Sequence, residues 1–471
     1  MSHHRMMRLL AVAIALLLFF SRDNLAQDVI ATPKFDTQAD EVQKSYILPA
    51  LEIVGFDLAL NRFNRQYIDR ESFDVTISTI RRNFRSGWTV DNDEFATNQF
   101  LHPYQGAIYH TAARSTGHNY WMSTAYTFIG SALWEVAGET TRPSRNDQIA
   151  SGIGGSFFGE PLFRMANLLL ERGNGVPKTG RLLGAAAISP ATAFNRAAFG
   201  RRFDPIFHSN DPAFSAQWNF GATVAEHRLE GTSQRTKRNE AIAEFSMAYG
   251  LPGQLTYEYK RPFDYFNFEF AATSSNIFEN IMTRGLLLGS GYSAGEKYRG
   301  VWGLYGTYDY MAPEVFRVSS TGLSVGTTGQ WGLPGAFAVQ GSALGGFGYG
   351  AGGTLEGTGG RDYHYGLTPQ ALLSTRFVFG KRVSLDLTGR GYNITRFAAT
   401  NNRGFEKIGR AEAALTVRVF GPQALTLKYH VTRRLAHYPD LGERDQRRGT
   451  LSVFYTVIGD PHMGIVDWRT R

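Results

Sequence analysis

The chain has 471 residues and a formal net charge of +8, which leaves room for two folding units. Gly (52), Phe (34) and Tyr (22) are plentiful and only 19% of residues are charged. This excludes a disordered chain, which lacks the apolar side chains to offset ordering entropy. The absence of Cys excludes disulfides, Cys-ligated zinc or iron–sulfur centres, a Cys nucleophile and a lipid-modified N-terminal Cys.

At the N-terminus, Arg5 and Arg8 precede an unbroken apolar run from Leu9 to Phe20, followed by a polar stretch from Ser21 to Gln27. The run is shorter than the ~20 residues of a transmembrane helix and has the layout of a secretory signal peptide. Residues 1–27 are therefore expected to be a signal peptide on an exported protein. The remaining chain stays mildly basic, which suits anionic headgroups and gives no argument for nucleic acid. No later segment is apolar enough for an inner-membrane helix; the nearest, Asn119 to Trp134, contains Asn, Ser and Thr. An outer-membrane β-barrel escapes such a search, because its strands are short and alternate.

Residues 28–205 read as a helical domain. Glu41–Tyr67, Asp74–Arg85, Pro103–Ser115, Asn119–Val136 and Gly159–Arg172 carry apolar residues at three- and four-residue spacing. Pro103 and Pro161 are expected in first turns, and Asp147 with the Gly-rich stretch after it reads as an interhelical loop.

The period changes near residue 205. Of the 52 Gly, 37 lie in 201–471, and apolar residues now alternate with polar ones. Leu425, Leu427, Tyr429 and Val431 alternate with Thr426, Lys428, His430 and Thr432, and similar runs start at Val383, Ala413 and Leu451. Short turns are expected at Leu251-Pro252-Gly253, Ser293-Ala294-Gly295, Leu333-Pro334-Gly335, Gly380-Lys381 and Gly421-Pro422. They are preceded by Tyr249, Tyr292, Trp331, Phe379 and Phe420. Long connections are expected at 227–239, 354–362, 400–405 and 439–447. Alternating short and long connections with aromatics at one level predict an outer-membrane barrel of about twelve strands between Ala213 and Val457. A soluble β-sandwich predicts neither feature. The tail from Gly459 to Arg471 is expected to fold back at the short-turn end.

The fold class expected is thus α+β: an N-terminal helical domain, periplasmic or plugging the barrel, followed over 206–471 by an antiparallel transmembrane β-barrel with a short C-terminal tail, in the cell outer membrane. Glu258, Lys260, Asp386, Arg390, Glu412, Arg418, Lys428 and His430 are expected in the lumen. A charge at Leu427 should harm assembly and one at Thr426 should not.

Candidate chemistry lies in the helical part. His110, Arg114 and His118 recur every four residues on one helix, Ser131, Glu135 and Glu139 on the next, and Glu160 and Arg164 on a third. His102 precedes the first, and Asn146 and Asp147 fall in the loop expected between the last two. If the stripes meet, His102, Arg114, His118, Glu135, Glu139, Asp147, Glu160 and Arg164 form one cluster. Such a cluster suits a divalent metal or a general acid/base pair. It suits equally a buried ion-pair network, Arg114 with Glu135 or Glu139 and Arg164 with Glu160. No Glu-x-x-His repeat makes the metal signal specific. Gly322-Leu323-Ser324-Val325-Gly326 fits a nucleophile elbow but lies within a strand pattern. Gly152-Ile153-Gly154-Gly155 lacks the preceding strand and following Lys-Ser/Thr of a phosphate loop. No cofactor is expected.

Asn98-Gln99-Phe100, His102-Pro103-Tyr104, Gly106, Tyr109, Ala113-Arg114-Ser115, Gly117, Trp121, Gly130-Ser131, Leu133-Trp134-Glu135, Gly138-Glu139, Ser144, Asn146-Asp147, Gly154-Gly155 and Gly159-Glu160 together resemble the signature of a domain-of-unknown-function family of bacterial outer-membrane proteins. The resemblance covers roughly residues 91–172. It implies a Gram-negative outer-membrane protein with a helical segment beside a barrel, and assigns no activity and no catalytic residue. The function expected is structural or passage-forming in the envelope, with outer-membrane lipids, lipopolysaccharide and the barrel-assembly machinery as partners. The alternative is a hydrolase or metal-dependent enzyme acting on envelope lipid or glycan through the His/Glu/Arg cluster.

Overall fold

The computed structural model describes residues 43–171, 177–203, 212–228, 235–254, 257–313, 316–333, 337–353, 360–396, 404–438 and 442–466. The signal-peptide segment and the 205/206 domain boundary lie outside these residues. Nine α-helices are present among them: α1 (Ile47–Tyr67), α2 (Arg70–Phe73), α3 (Ile77–Arg85), α4 (His102–Arg114), α5 (Tyr120–Ala137), α6 (Arg145–Ile149), α7 (Gly155–Glu171), α8 (Thr179–Ile188) and α9 (Pro190–Phe199). Their starts follow local chemistry. A Thr76/Thr79 capping box opens α3, the Asn119 side chain accepts from Met122 N–H at α5, and Ser144 Oγ accepts from Asp147 N–H at α6.

The stretch expected as a loop after Asp147 is helical instead. Helix α6 runs through a π-helical turn, Ala150–Gly154, straight into α7, so Pro161 sits inside a helix and not in a first turn. The glycines there serve packing. A Cβ on Gly155 would meet Gly106 Cα at 2.6 Å, and one on Gly106 would meet Ser151 O at 2.1 Å. Two helices cross where only Gly permits the approach.

Twelve strands follow: β1 (Phe214–Arg228), β2 (Arg235–Tyr249), β3 (Phe266–Thr273), β4 (Asn280–Ala294), β5 (Tyr298–Met311), β6 (Arg317–Leu333), β7 (Phe337–Gly353), β8 (His364–Phe379), β9 (Val383–Arg396), β10 (Phe405–Phe420), β11 (Gln423–Tyr438) and β12 (Gly442–Ile458). Each pairs antiparallel with its sequence neighbours, and β1 closes the barrel on β12 from Gln217↔Ile458 to Arg228↔Arg447. The strand count stands as read from the sequence; several connections do not. Strands β1, β2 and β12 extend into the segments expected as long loops. Between β2 and β3, Leu251-Pro252-Gly253 opens a connection running to Tyr265 and not a tight turn. Glu258 and Lys260 lie on that connection, both exposed and paired with each other, not on a lumenal strand.

Alternation sorts the two faces of the wall. Leu425, Leu427, Tyr429, Leu451, Val453 and Tyr455 are exposed outward, as are Trp331, Phe379 and Phe420 at the short-turn end. The inward positions pack against one another. Arg390 pairs with Glu269 (2.9 Å) and Asp309 (3.4 Å), and Lys428 with Glu244 (3.0 Å) and Glu412 (3.1 Å). Thr426 is 3% exposed and bridges Thr416 (2.9 Å) and Thr456 (2.7 Å). A charge there would be buried among these hydroxyls, so the expectation that Thr426 tolerates one is overturned.

The tail, described as far as Val466, folds back into the barrel at the short-turn end. Gln330 and Gln340, both inward, donate to Val466 O (2.7 Å) and Gly464 O (2.5 Å), and Met463 is fully buried beside Val378, Ala424 and Ile458.

The helical domain is not the plug. On β5 the exposed Trp302 marks the outward parity, and Gly306, Tyr308 and Tyr310 share it. Phe157 sits over Gly306, Phe158 stacks on Tyr308 at 5.5 Å and Phe95 on Tyr310 at 5.7 Å. On β6, Ser319 and Thr321 share parity with exposed Leu323 and Val325; Ser319 Oγ donates to Gln99 Oε1, and Thr321 faces Gly154. The helices are therefore docked on the outside of the wall along β3–β8. Ring stacking at Tyr308 and Tyr310 and the Ser319–Gln99 hydrogen bond hold the seam by packing and polar contact.

Candidate functional site

The eight candidate residues do not meet in one place. Two separate constellations form, and His118 joins neither. Its Nε2 lies 2.9 Å from Ser45 O, and only its backbone O accepts from Arg114. Glu139 also departs from its stripe, since α5 ends at Ala137. Its Oε1 takes the Trp134 indole N–H (2.5 Å) and its Oε2 the Thr141 hydroxyl (2.9 Å).

The first constellation centres on Glu160, which is fully buried on α7. Arg114 of α4 donates through Nε (2.7 Å) and Nη2 (3.0 Å), Arg164 through Nε (2.9 Å), and His110 Nε2 lies 3.0 Å away. Arg164 continues to Asp264 (3.1 Å) and Pro262 O (2.8 Å) on the β2–β3 connection, tying the helices to the barrel. Arg164 with Glu160 is the pairing read from spacing. Arg114 pairs with Glu160, not with Glu135 or Glu139, because α4 crosses α7 at the Gly106–Gly155 contact. Burial alone would raise the Glu160 pKa, yet the two guanidinium groups and the His110 hydrogen bond hold it well below the carboxylate range. Burial lowers the His110 pKa despite its acidic partner. This is a satisfied ion-pair network.

The second constellation is an acidic one. Glu135 near the end of α5, Asp147 in the first turn of α6 and His102 at the start of α4 are each at most 6% exposed, and one ligand atom from each lies within 4.8 Å of the others. His102 Nε2 is 3.6 Å from Asp147 Oδ2. Ser144 N–H donates to Glu135 Oε2 (2.8 Å), while Glu135 Oε1 has no hydrogen-bond partner among the described residues. Asp91 Oδ1 accepts from Asn98 and Asn146, each at 2.7 Å; these two amides also donate to Tyr365 on the outward face of the barrel wall (3.2 and 2.8 Å). Burial, then Glu139, Asp91 and Asp93, push the Glu135 pKa well up. Burial, then Glu135 and Asp91, do the same to Asp147. Among the described residues no Arg or Lys pairs with Glu135 or Asp147 as Arg114 and Arg164 do with Glu160. Asp91 and Tyr365 escaped sequence reasoning, because neither belongs to a helical stripe and the tyrosine lies more than two hundred residues away.

Elsewhere in the domain, Asp57 on α1 is buried against the Tyr109 hydroxyl, and burial raises its pKa from 3.8 to about 7. The native state then holds a proton that the unfolded state releases above 3.8, so stability falls as pH rises from about 4 to about 7. Asp57→Asn should remove a loss on the order of 2–3 kcal/mol between about pH 5 and pH 7.5. Thermal unfolding followed by far-UV circular dichroism at both pH values checks it; an unchanged pH slope in the variant would contradict this assignment.

Residues 87–191, which hold both constellations except Pro262, Asp264 and Tyr365, match the family described as a domain of unknown function, DUF3943. No curated protein matches the chain. Similar solved structures include a loop-deletion mutant of OmpT, an outer membrane protein of Vibrio cholerae (11% identity, 52% of this chain and 99% of that one, TM-score 0.21). An anion-selective porin from Comamonas acidovorans (6%, 53% and 100%, TM-score 0.23) and the outer membrane channel DcaP of Acinetobacter baumannii (8%, 51% and 96%, TM-score 0.22) are also similar.

Proposed function

We propose that the protein is an integral outer-membrane β-barrel with a filled lumen, serving as a structural anchor that holds its helical domain in the lipid beside the wall. The observation that carries this reading is the reversal of polarity: apolar side chains face outward around the barrel while paired charges pack the inside. At Arg284, Asp309, Gln370, Arg390 and Tyr392 the lumen leaves a cavity of about 20 Å³, room for about one water. The helices extend the outward apolar surface. Ile47, Leu51, Val54 and Leu58 make one exposed face of α1, and Ile129 and Leu133 lie exposed on α5. Helix α3 presents Ile77 and Phe84 beside Arg81, Arg82 and Arg85, a composition suited to an interface with anionic headgroups.

On this reading the partners are outer-membrane lipids, lipopolysaccharide included, and the barrel-assembly machinery. A hydrolase acting on lipid or glycan is less well supported, because His102, Glu135 and Asp147 lie beneath helices and wall with no room for such a substrate. The purified protein in planar bilayers should give no sustained conductance; regular open-channel steps would overturn the filled-lumen reading.

A further inference from the structure

We propose that His102, Glu135 and Asp147 form a binding site for one divalent transition-metal ion of the zinc or manganese type, at the seam between the helical domain and the barrel wall. The inference does not depend on whether the lumen is open or the helices lie in lipid.

Four observations carry it. The donor set, one imidazole nitrogen and two carboxylates, is that of three-ligand sites for such ions. A metal with ligand bonds of about 2.1 Å spaces its ligand atoms roughly 3–3.5 Å apart. The 3.6 Å separation of His102 Nε2 and Asp147 Oδ2 is close to that spacing, and all three ligand atoms lie within 4.8 Å of one another. Glu135 is 4% exposed, yet its Oε1 has no hydrogen-bond partner among the described residues. Leaving such an oxygen unmatched in the interior is costly unless something of opposite charge meets it.

The surroundings are arranged as supports for ligands. Ser144 N–H fixes Glu135 Oε2 at 2.8 Å and Asn146 Nδ2 fixes Asp147 Oδ1 at 3.1 Å, leaving the other oxygens for a cation. Asp91 and Asp93 are only half-buried at the edge of the cluster, so they draw cations toward it and give a way in. The Glu160 network is the internal contrast. There the buried carboxylate already meets two arginines, and nothing is left for a metal.

The test is isothermal titration of the full chain in detergent, after chelator treatment, with ZnCl₂, MnCl₂ and CaCl₂ as separate probes. One equivalent of zinc or manganese should bind, and thermal unfolding of the helical domain should shift upward with the metal. Glu135→Gln and His102→Gln should each weaken binding by about tenfold or more while circular dichroism shows the helices retained. Stoichiometric uptake that survives both substitutions would overturn the site, as would no uptake by the unaltered chain. Binding of calcium without zinc or manganese would also overturn it, because it would leave the imidazole without a part. If one variant fails to fold, the other alone decides.

Discussion

Replacing Glu160 by Gln is expected to destabilise the helical domain by ~3–5 kcal/mol, the usual cost of stranding buried charge. The amide keeps the shape of the carboxylate but cannot balance Arg114 and Arg164, whose bonds to it now measure 2.7–3.0 Å. Arg164 retains Asp264 and Pro262 O, whereas Arg114 is left chiefly with His118 O. Thermal unfolding should show the helical signal lost early while the barrel keeps its heat-modifiable migration. Adding Arg114→Met should recover part of the loss, since removing both charges leaves no stranded one. Equal unfolding temperatures for Glu160→Gln and the unaltered chain would show that the network does not hold the domain.

The second large effect belongs to the outer wall. Leu427 is half-exposed on β11, between outward Leu425 and Tyr429. If this surface meets hydrocarbon, Leu427→Arg should cost ~2–4 kcal/mol at the bilayer midplane, and Leu427→Ala far less. Refolding into lipid vesicles at graded urea concentrations measures the difference. An arginine tolerated as well as alanine would mean that β11 faces water.

Much of this was legible in the sequence, for reasons of period and composition. The run from Leu425 to Thr432 alternates cleanly because one side meets an apolar surround and the other a packed polar lumen. Strands β4 and β5 near Gly285 and Gly306 lack that contrast, since Phe263 of the β2–β3 connection covers the outer face at Gly285 and Phe157 of α7 covers it at Gly306. The same docking buries Tyr249, an outward position of the expected girdle, beneath Arg164 (5.6 Å from its ring centre); it lies stacked on Phe266 at 4.9 Å. Glycine misled at Gly152, Gly154 and Gly155, because close helix crossing and chain reversal use the same residue. Spacing placed Glu160 and Arg164 on one helical face correctly. It had no means of choosing which helix faces which, and so it merged Glu160 with Glu135. Tyr365 became part of the acidic cluster only through the docking of helices on the wall, a tertiary event that leaves no local pattern.

The docking of the helices on a lipid-facing wall is the central claim, and the absence of Cys makes it directly measurable. Single substitutions Ile129→Cys on α5 and Leu427→Cys on β11 accept a nitroxide label in lipid nanodiscs, where collision with oxygen and with a water-soluble nickel chelate reports the surroundings. Both labels should collide readily with oxygen and poorly with the chelate, at similar ratios. A label at Ile129 that meets the chelate freely, while the one at Leu427 does not, would place the helical domain in water and contradict the account.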